Sequence, residues 1–213
     1  MCINAETSLA SFALGTTFNV IVVKSTSNPN YRMMAAIYEF ILLMQLLDFI
    51  SWKDAKCGIY NRLATKTAFV QNMLQPVVAL LILLNYTQVT DKNIKLFVSI
   101  VLAIYIGVIL YKVYYNTGAS PTTCLKSSST CKSLQYDWWR VIGDYSIFTY
   151  IIPIIIGFYL LLKNRRFAII HAIYIIISFI LSGIIYSCGI PSIFCLFATG
   201  GPILNYMLMK NIL

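Results

Sequence analysis

Long apolar runs separated by short polar gaps repeat along the whole chain. This is the pattern of helices in hydrocarbon. About 20 consecutive, mostly apolar residues carry an α-helix across a bilayer, and somewhat shorter runs are tolerated. Seven runs qualify: Ser8–Val23, Met33–Ser51, Leu63–Leu84, Ile94–Tyr115, Tyr145–Leu162, Phe167–Ser187 and Ser192–Met209. They predict an all-α fold, a polytopic transmembrane helical bundle of about seven spans, with residues 1–213 forming a single domain. Nothing basic precedes the first run, so it is expected to act as an uncleaved anchor rather than a signal peptide. The longest gap, Asn116 to Asp144, is too short for a soluble domain.

The polar residues inside the runs are the informative exceptions, because carboxylates and amides in hydrocarbon are costly and normally face protein or a wet cavity. They concentrate between Tyr31 and Asn85. In the second span Gln45, Asp48 and Trp52 stand at i, i+3 and i+7, on one helical face. Glu39 lies half a turn round from Asp48 and deeper, so the two acids are expected to serve different neighbours. Asp48 sits at the depth of Arg62 and Lys66, which predicts an ion pair. In the third span Asn61, Thr65, Ala68, Asn72, Gln75 and Ala79 form a continuous polar and small stripe. Pro76 removes a backbone hydrogen bond beside these amides. Such a kink suits a solute or ion site, and equally a helix whose amides repair the broken ladder. Asn19 in the first span is expected to bond across to a neighbouring helix. Thr7 or Ser8 is expected to cap that helix, with Glu6 at its positive end.

The fourth span has few polar residues and reads as a connector. The fifth carries Pro153 and Gly157, a predicted kink. The sixth holds the single histidine, and His171, Tyr174, Ser178 and Ser182 share one face. His171 and Glu39 fall at similar depth, so a Glu39–His171 contact is one expectation and a histidine bonded to backbone or headgroups is the other. In the seventh, Thr199-Gly200-Gly201-Pro202 predicts a break or a close helix crossing, with Pro202 as a kink. If the fourth span is a linker, spans one to three and five to seven run in the same orientation. Lys24 then matches Lys163, and Pro76 matches Pro202. A 3+1+3 arrangement of this kind is typical of transporters.

Composition agrees with the pattern. Of 213 residues 59% are hydrophobic and 11% charged, against about a quarter charged in soluble domains. The net charge of +9 lies in the gaps between runs, which points to membrane flanks rather than nucleic acid. The N-terminal flank lacks Lys and Arg, Lys24 and Arg32 bracket the first loop, and Lys163, Arg165 and Arg166 crowd the loop after the fifth span. These short-loop charges place the N-terminus outside or lumenal and the C-terminus in the cytosol. Cys2, Cys57, Cys124, Cys131 and Cys188 then fall on the non-cytosolic side. Cys124 and Cys131 are candidates for a small disulfide loop, with free thiols as the alternative. Trp138-Trp139-Arg140 in the same loop marks an interfacial segment. The Asn85-Tyr86-Thr87 sequon is expected to be unused, because it lies on the cytosolic side. No metal or cofactor is expected.

The last span has no mid-membrane lysine, which excludes a retinal protein. No Asp-Arg-Tyr or Asn-Pro-x-x-Tyr receptor signature is present, and enzyme motifs such as His-Glu-x-x-His and Gly-x-Ser-x-Gly are absent, so no catalytic activity is expected. Four patches do match a family in order. Met1-Cys2-Ile3 with Glu6-Thr7-Ser8 corresponds to a Met-Cys-Trp opening followed by an acid and Ser. Gln45, Asp48 and Trp52 correspond to a Gln, an acid three residues on and a Trp. Gln75-Pro76 matches a Gln-Pro. Ser192-Ile193-Phe194-Cys195-Leu196-Phe197 corresponds to Ser-Leu-Trp-Cys-Trp, with both tryptophans replaced. In these patches the chain resembles a family of small multi-pass membrane proteins of large nucleocytoplasmic DNA viruses and some microbial eukaryotes. The resemblance implies a viral or protist setting and a shared fold, but no mechanism.

Two functions follow as expectations. One is an ion or small-solute pathway through Glu39, Gln45, Asp48, Asn72, Gln75, His171 and Tyr174, with Pro76, Pro153 and Pro202 as kinks. The other is a structural protein of a host or virion internal membrane, whose loops bind viral coat proteins or a second copy of the chain. The lipid bilayer is a partner in both.

Overall fold

The computed structural model describes residues 4–116, 126–127, 134–135, 146–185, 194 and 197–212. Cys124, Cys131, Trp138, Trp139, Arg140 and the Met1–Ile3 opening lie outside the described residues. Among those described there are seven helices: α1 (Ala5–Ser25), α2 (Pro29–Lys53), α3 (Ile59–Tyr86), α4 (Lys92–Asn116), α5 (Ser146–Leu161), α6 (Arg165–Ile185) and α7 (Gly200–Met209). The sole extended structure among them is an antiparallel pair of two-residue strands, β1 (Lys126–Ser127) and β2 (Leu134–Gln135), between α4 and α5. Five helices, α1 to α4 and α6, contain stretches long and apolar enough to cross a membrane. As described, α5 and α7 are shorter, 16 and 10 residues, or about 24 and 15 Å at 1.5 Å per residue.

Side-chain caps set most helix starts. Asn4 begins α1, its Oδ1 accepting from the Thr7 N–H and the Thr7 hydroxyl, both at 2.8 Å. The expected caps, Thr7 and Ser8, are therefore donors to Asn4, while Glu6 does sit in the first turn. Asparagine competes well for this role because its carbonyl oxygen reaches the free N–H groups. Asn28 caps α2, with Pro29 in the first turn, where its missing N–H costs nothing. Asp91 accepts from the Asn93 N–H at 2.8 Å to start α4, and Asn164 from the Phe167 N–H to start α6.

Among the described residues, the turn between α2 and α3 is the most tightly bonded connection. Asp54 Oδ1 accepts from the Gly58 N–H at 3.1 Å, and Oδ2 from the Asn61 N–H at 3.0 Å. The Asn61 amide donates in turn to the Ser51 and Asp54 carbonyls, both at 3.1 Å. Cys57 takes a left-handed conformation here, φ 62°, and is disulfide-bonded. Its partner is one of the other five cysteines, all outside the described residues.

Neighbouring helices close a ring in the order α1, α2, α3, α5, α6, α7, and α7 returns to α1 and α2. α4 lies outside the ring against α3 and α5. Its outward face, with Leu96, Phe97, Ile100 and Ile104, is exposed, as expected of a connector in lipid. α2 and α3 are the most buried of the long helices. Glycines allow two of the close approaches. Gly15 lets α1 sit on Leu42, and Gly157 lets α5 sit on Leu80 and Leu83, the small-residue packing that membrane bundles favour.

Pro76 lies inside α3, and Pro153 inside α5. Pro202 falls in the first turn of α7, but the backbone before it is also helical: Phe197 and Ala198 are helical and Thr199 keeps φ −60° and ψ −30°. Its missing N–H leaves the Ala198 carbonyl without its helical partner, the same local defect that Pro76 introduces in α3.

Candidate functional site

The buried polar residues fall into three groups around α2. The first joins α1 and α2. Glu39 accepts from the Thr16 hydroxyl at Oε1 and from the Asn19 amide at Oε2, both at 2.8 Å. Asn19 therefore bonds across helices as expected. Its partner is the acid that had been expected near His171. Glu39→Ala is expected to destabilise the bundle by about 1.5–3 kcal/mol, the usual value of hydrogen bonds to a charged group. Unfolding in detergent would measure it.

The second group runs through the stripe on α3. Asn61, Thr65, Ala68, Asn72, Gln75 and Ala79 are all buried. The Gln71 amide, just off this stripe, donates to the Phe40 carbonyl of α2 at 2.5 Å. Gln71 Oε1 accepts from the Gln75 amide at 3.2 Å, and Gln75 Oε1 accepts from the Tyr150 hydroxyl of α5. A continuous hydrogen-bonded chain thus links three helices. Beside Pro76, the Tyr105 hydroxyl of α4 donates to the Met73 carbonyl at 3.2 Å. Tyrosines of two other helices therefore meet α3 where proline interrupts its ladder. Gln45 and Asp48, farther along α2, are fully buried and have interaction partners of their own. Arg62 and Lys66, the bases expected beside Asp48, are exposed, and Arg62 Nε donates to the Cys57 carbonyl at 3.1 Å.

The third group surrounds His171, which is fully buried. Its Nδ1 is 2.8 Å from the Tyr38 hydroxyl, and the rings of Phe167 and Phe158 stand edge-on to it, with centroids at 4.4 and 6.5 Å. Tyr38 and Glu39 are successive residues about 100° apart on α2, so one turns to α6 while the other turns to α1. The start of α7 presses on the same place. A Cβ at Gly201 would run into the Tyr38 ring, and one at Gly200 into the Tyr174 hydroxyl. Tyr174 donates to the Phe197 carbonyl, ahead of Gly200. Ser178 and Ser182 continue the buried face of α6. Nearer the helix ends, the Asn205 amide donates to the Tyr31 carbonyl at 2.9 Å, and the Tyr31 hydroxyl to the Leu208 carbonyl at 3.3 Å, tying α7 to α2.

Tyr38 and Tyr150 are the members that the pattern of polar positions did not single out, because a hydropathy reading counts tyrosine as nearly apolar. A buried tyrosine hydroxyl nonetheless needs a partner, and that was the available signal for Tyr38 and Tyr150. Among the described residues no cluster of three His, Cys, Asp or Glu side chains could hold a metal ion.

Comparison with protein-family models, curated proteins and solved structures finds no match. The likeness to the viral and protist family therefore rests on the four short patches quoted above.

Proposed function

We propose that the chain is a structural, multi-pass protein of a host or virion membrane. In this reading all seven helices are embedded, and the buried polar side chains fasten helix to helix. The carrying observation is the chain from the Phe40 carbonyl through Gln71 and Gln75 to Tyr150. Each of its side-chain groups closes on another protein group, which is how polar residues act as glue within bilayers. The short connections and the exposed apolar face of α4 leave lipid, a second copy or a coat protein as partners.

The orientation we propose puts the N-terminus outside. Lys and Arg divide evenly, eight to each side, but on the other side of the bundle Lys24 and Arg32 bracket the first short connection and Lys163, Arg165 and Arg166 crowd the one between α5 and α6, and such span-adjacent charges mark a cytosolic face. The disulfide at Cys57, in a connection on the opposite side, suits an oxidising compartment.

A second reading, an ion or small-solute pathway, is favoured by the Gly200-Gly201-Pro202 start of α7, packed against Tyr38 and Tyr174 with His171 alongside, since proline-marked helix interruptions accompany binding sites in transporters.

Purified protein in liposomes, challenged with an ion and pH panel alongside Glu39→Gln, separates the two. The structural reading expects no flux from folded parent protein. It also expects a Gln75→Leu and Tyr150→Phe double-mutant cycle to give a coupling of about 0.6 kcal/mol, and at most about 1.7. Flux that disappears in a folded Glu39→Gln variant would replace it with the pathway.

A further inference from the structure

A groove of about 490 Å³ opens on the outside of the bundle between the start of α2 and the end of α3. Its walls are Ser27, Pro29, Arg32, Met33, Ala36, Ile82 and Tyr86. The residues are graded along the helix axes. Ser27 and Pro29 lie at the α1–α2 turn, and Tyr86 ends α3, so these three and Arg32 stand at the level where the helices leave the apolar layer. Ala36 and Ile82, one turn farther in from Arg32 and Tyr86, make the inner part apolar. A tyrosine and an arginine at the rim of an apolar channel match the two chemical halves of a lipid, since aromatic residues and basic side chains gather at headgroup depth. The volume is also within the roughly 300–1000 Å³ of typical ligand sites.

Charge selects among lipids. Arg32 is exposed at the mouth, and the whole face around it is basic, with eight Lys and Arg residues to the one acid Asp91. A zwitterionic headgroup would bring its own cation toward this face, whereas an anionic one brings only negative charge. Arginine also presents a planar fork of donors that fits a phosphate. We propose that the groove is a binding site for one anionic phospholipid. Its phosphate rests on Arg32 beside Tyr86, and one acyl chain lies along Met33, Ala36 and Ile82. This inference rests only on the helices being membrane-embedded and is indifferent to whether the bundle conducts.

The test is lipid retention by the intact protein. Protein purified in mild detergent is incubated with phosphatidylglycerol, with phosphatidylcholine or with inorganic phosphate alone, and the bound ligand is counted by native mass spectrometry. The variants are Arg32→Gln, which removes the charge, and Ala36→Trp, which fills the groove from an exposed position. Arg166→Gln is the control, a base on the same face outside the groove. Thermal unfolding of each, without added lipid, checks that the bundle is intact. One phosphatidylglycerol should be retained in preference to phosphatidylcholine. Arg32→Gln should weaken it about fivefold, the equivalent of about 1 kcal/mol for one basic group at the membrane surface. Ala36→Trp should abolish it, and Arg166→Gln should leave it unchanged. Retention that survives Ala36→Trp overturns the proposal. So does an equal loss in Arg166→Gln, which would mean diffuse attraction to the basic face, or binding of inorganic phosphate as tight as that of the lipid, which would mean a plain anion site.

Discussion

Replacing Tyr38 by alanine is expected to cost about 3–5 kcal/mol of bundle stability, the range for truncating a large buried aromatic side chain. Tyr38 is among the largest fully buried side chains. Its ring meets the start of α7 at Gly201, and its hydroxyl meets His171 on α6. Truncation therefore opens a cavity where three helices meet and removes the group facing His171 Nδ1. Tyr38→Phe keeps the ring and loses only the hydrogen bond, so it should cost about 0.5–1.5 kcal/mol. Denaturant or thermal unfolding in micelles gives both values. Alanine and phenylalanine variants of equal stability would mean that the ring fills no tight space, and the described approach of α7 would be wrong. A small alanine cost with a large phenylalanine cost has no physical route here.

Loss of the Cys57 disulfide carries the second large effect. Cys57→Ser, or reduction of the parent protein, is expected to destabilise the fold by about 2–4 kcal/mol, the usual range for removing a cross-link. The turn that holds Cys57 is already closed by the Asp54 carboxylate and the Asn61 amide. The disulfide therefore adds a tie from that turn to another part of the chain, rather than shaping the turn itself. A reductant should lower the unfolding midpoint of the parent and leave that of Cys57→Ser where it is. A parent protein indifferent to reductant would remove the cross-link, and with it the support that Cys57 lends to an oxidising location.

The two effects act on opposite ends of the bundle's logic. The Tyr38 contact is packing between helices that are already inserted. The Cys57 cross-link restrains a connection outside the apolar layer. If the structural reading of the protein holds, both should lower stability in the absence of any transport activity. If the protein conducts, only the Tyr38 change should also alter flux, because it alone borders His171 and the start of α7.

The helical character of the apolar runs, five of them long and apolar enough to cross a membrane, and the faces that turn inward were legible in the residues. Hydrocarbon makes each helix satisfy its own backbone and hide its own polar side chains, so those features are local. The stripe from Asn61 to Ala79 and the face from His171 to Ser182 are buried for that reason. Partner choice was not local. Glu39 and Tyr38 are neighbours in sequence, yet one bonds α1 and the other α6. Helical periodicity sets the angle between them but not which helix packs on each side. The start of α7 was also decided in three dimensions. Gly200 and Gly201 fit because Tyr174 and Tyr38 occupy the space a side chain would need. The pattern of residues thus determined which groups must be buried. Only the packed bundle decided which of them meet, because hydrocarbon drives each helix inside separately, whereas close packing and hydrogen-bond geometry choose its neighbours.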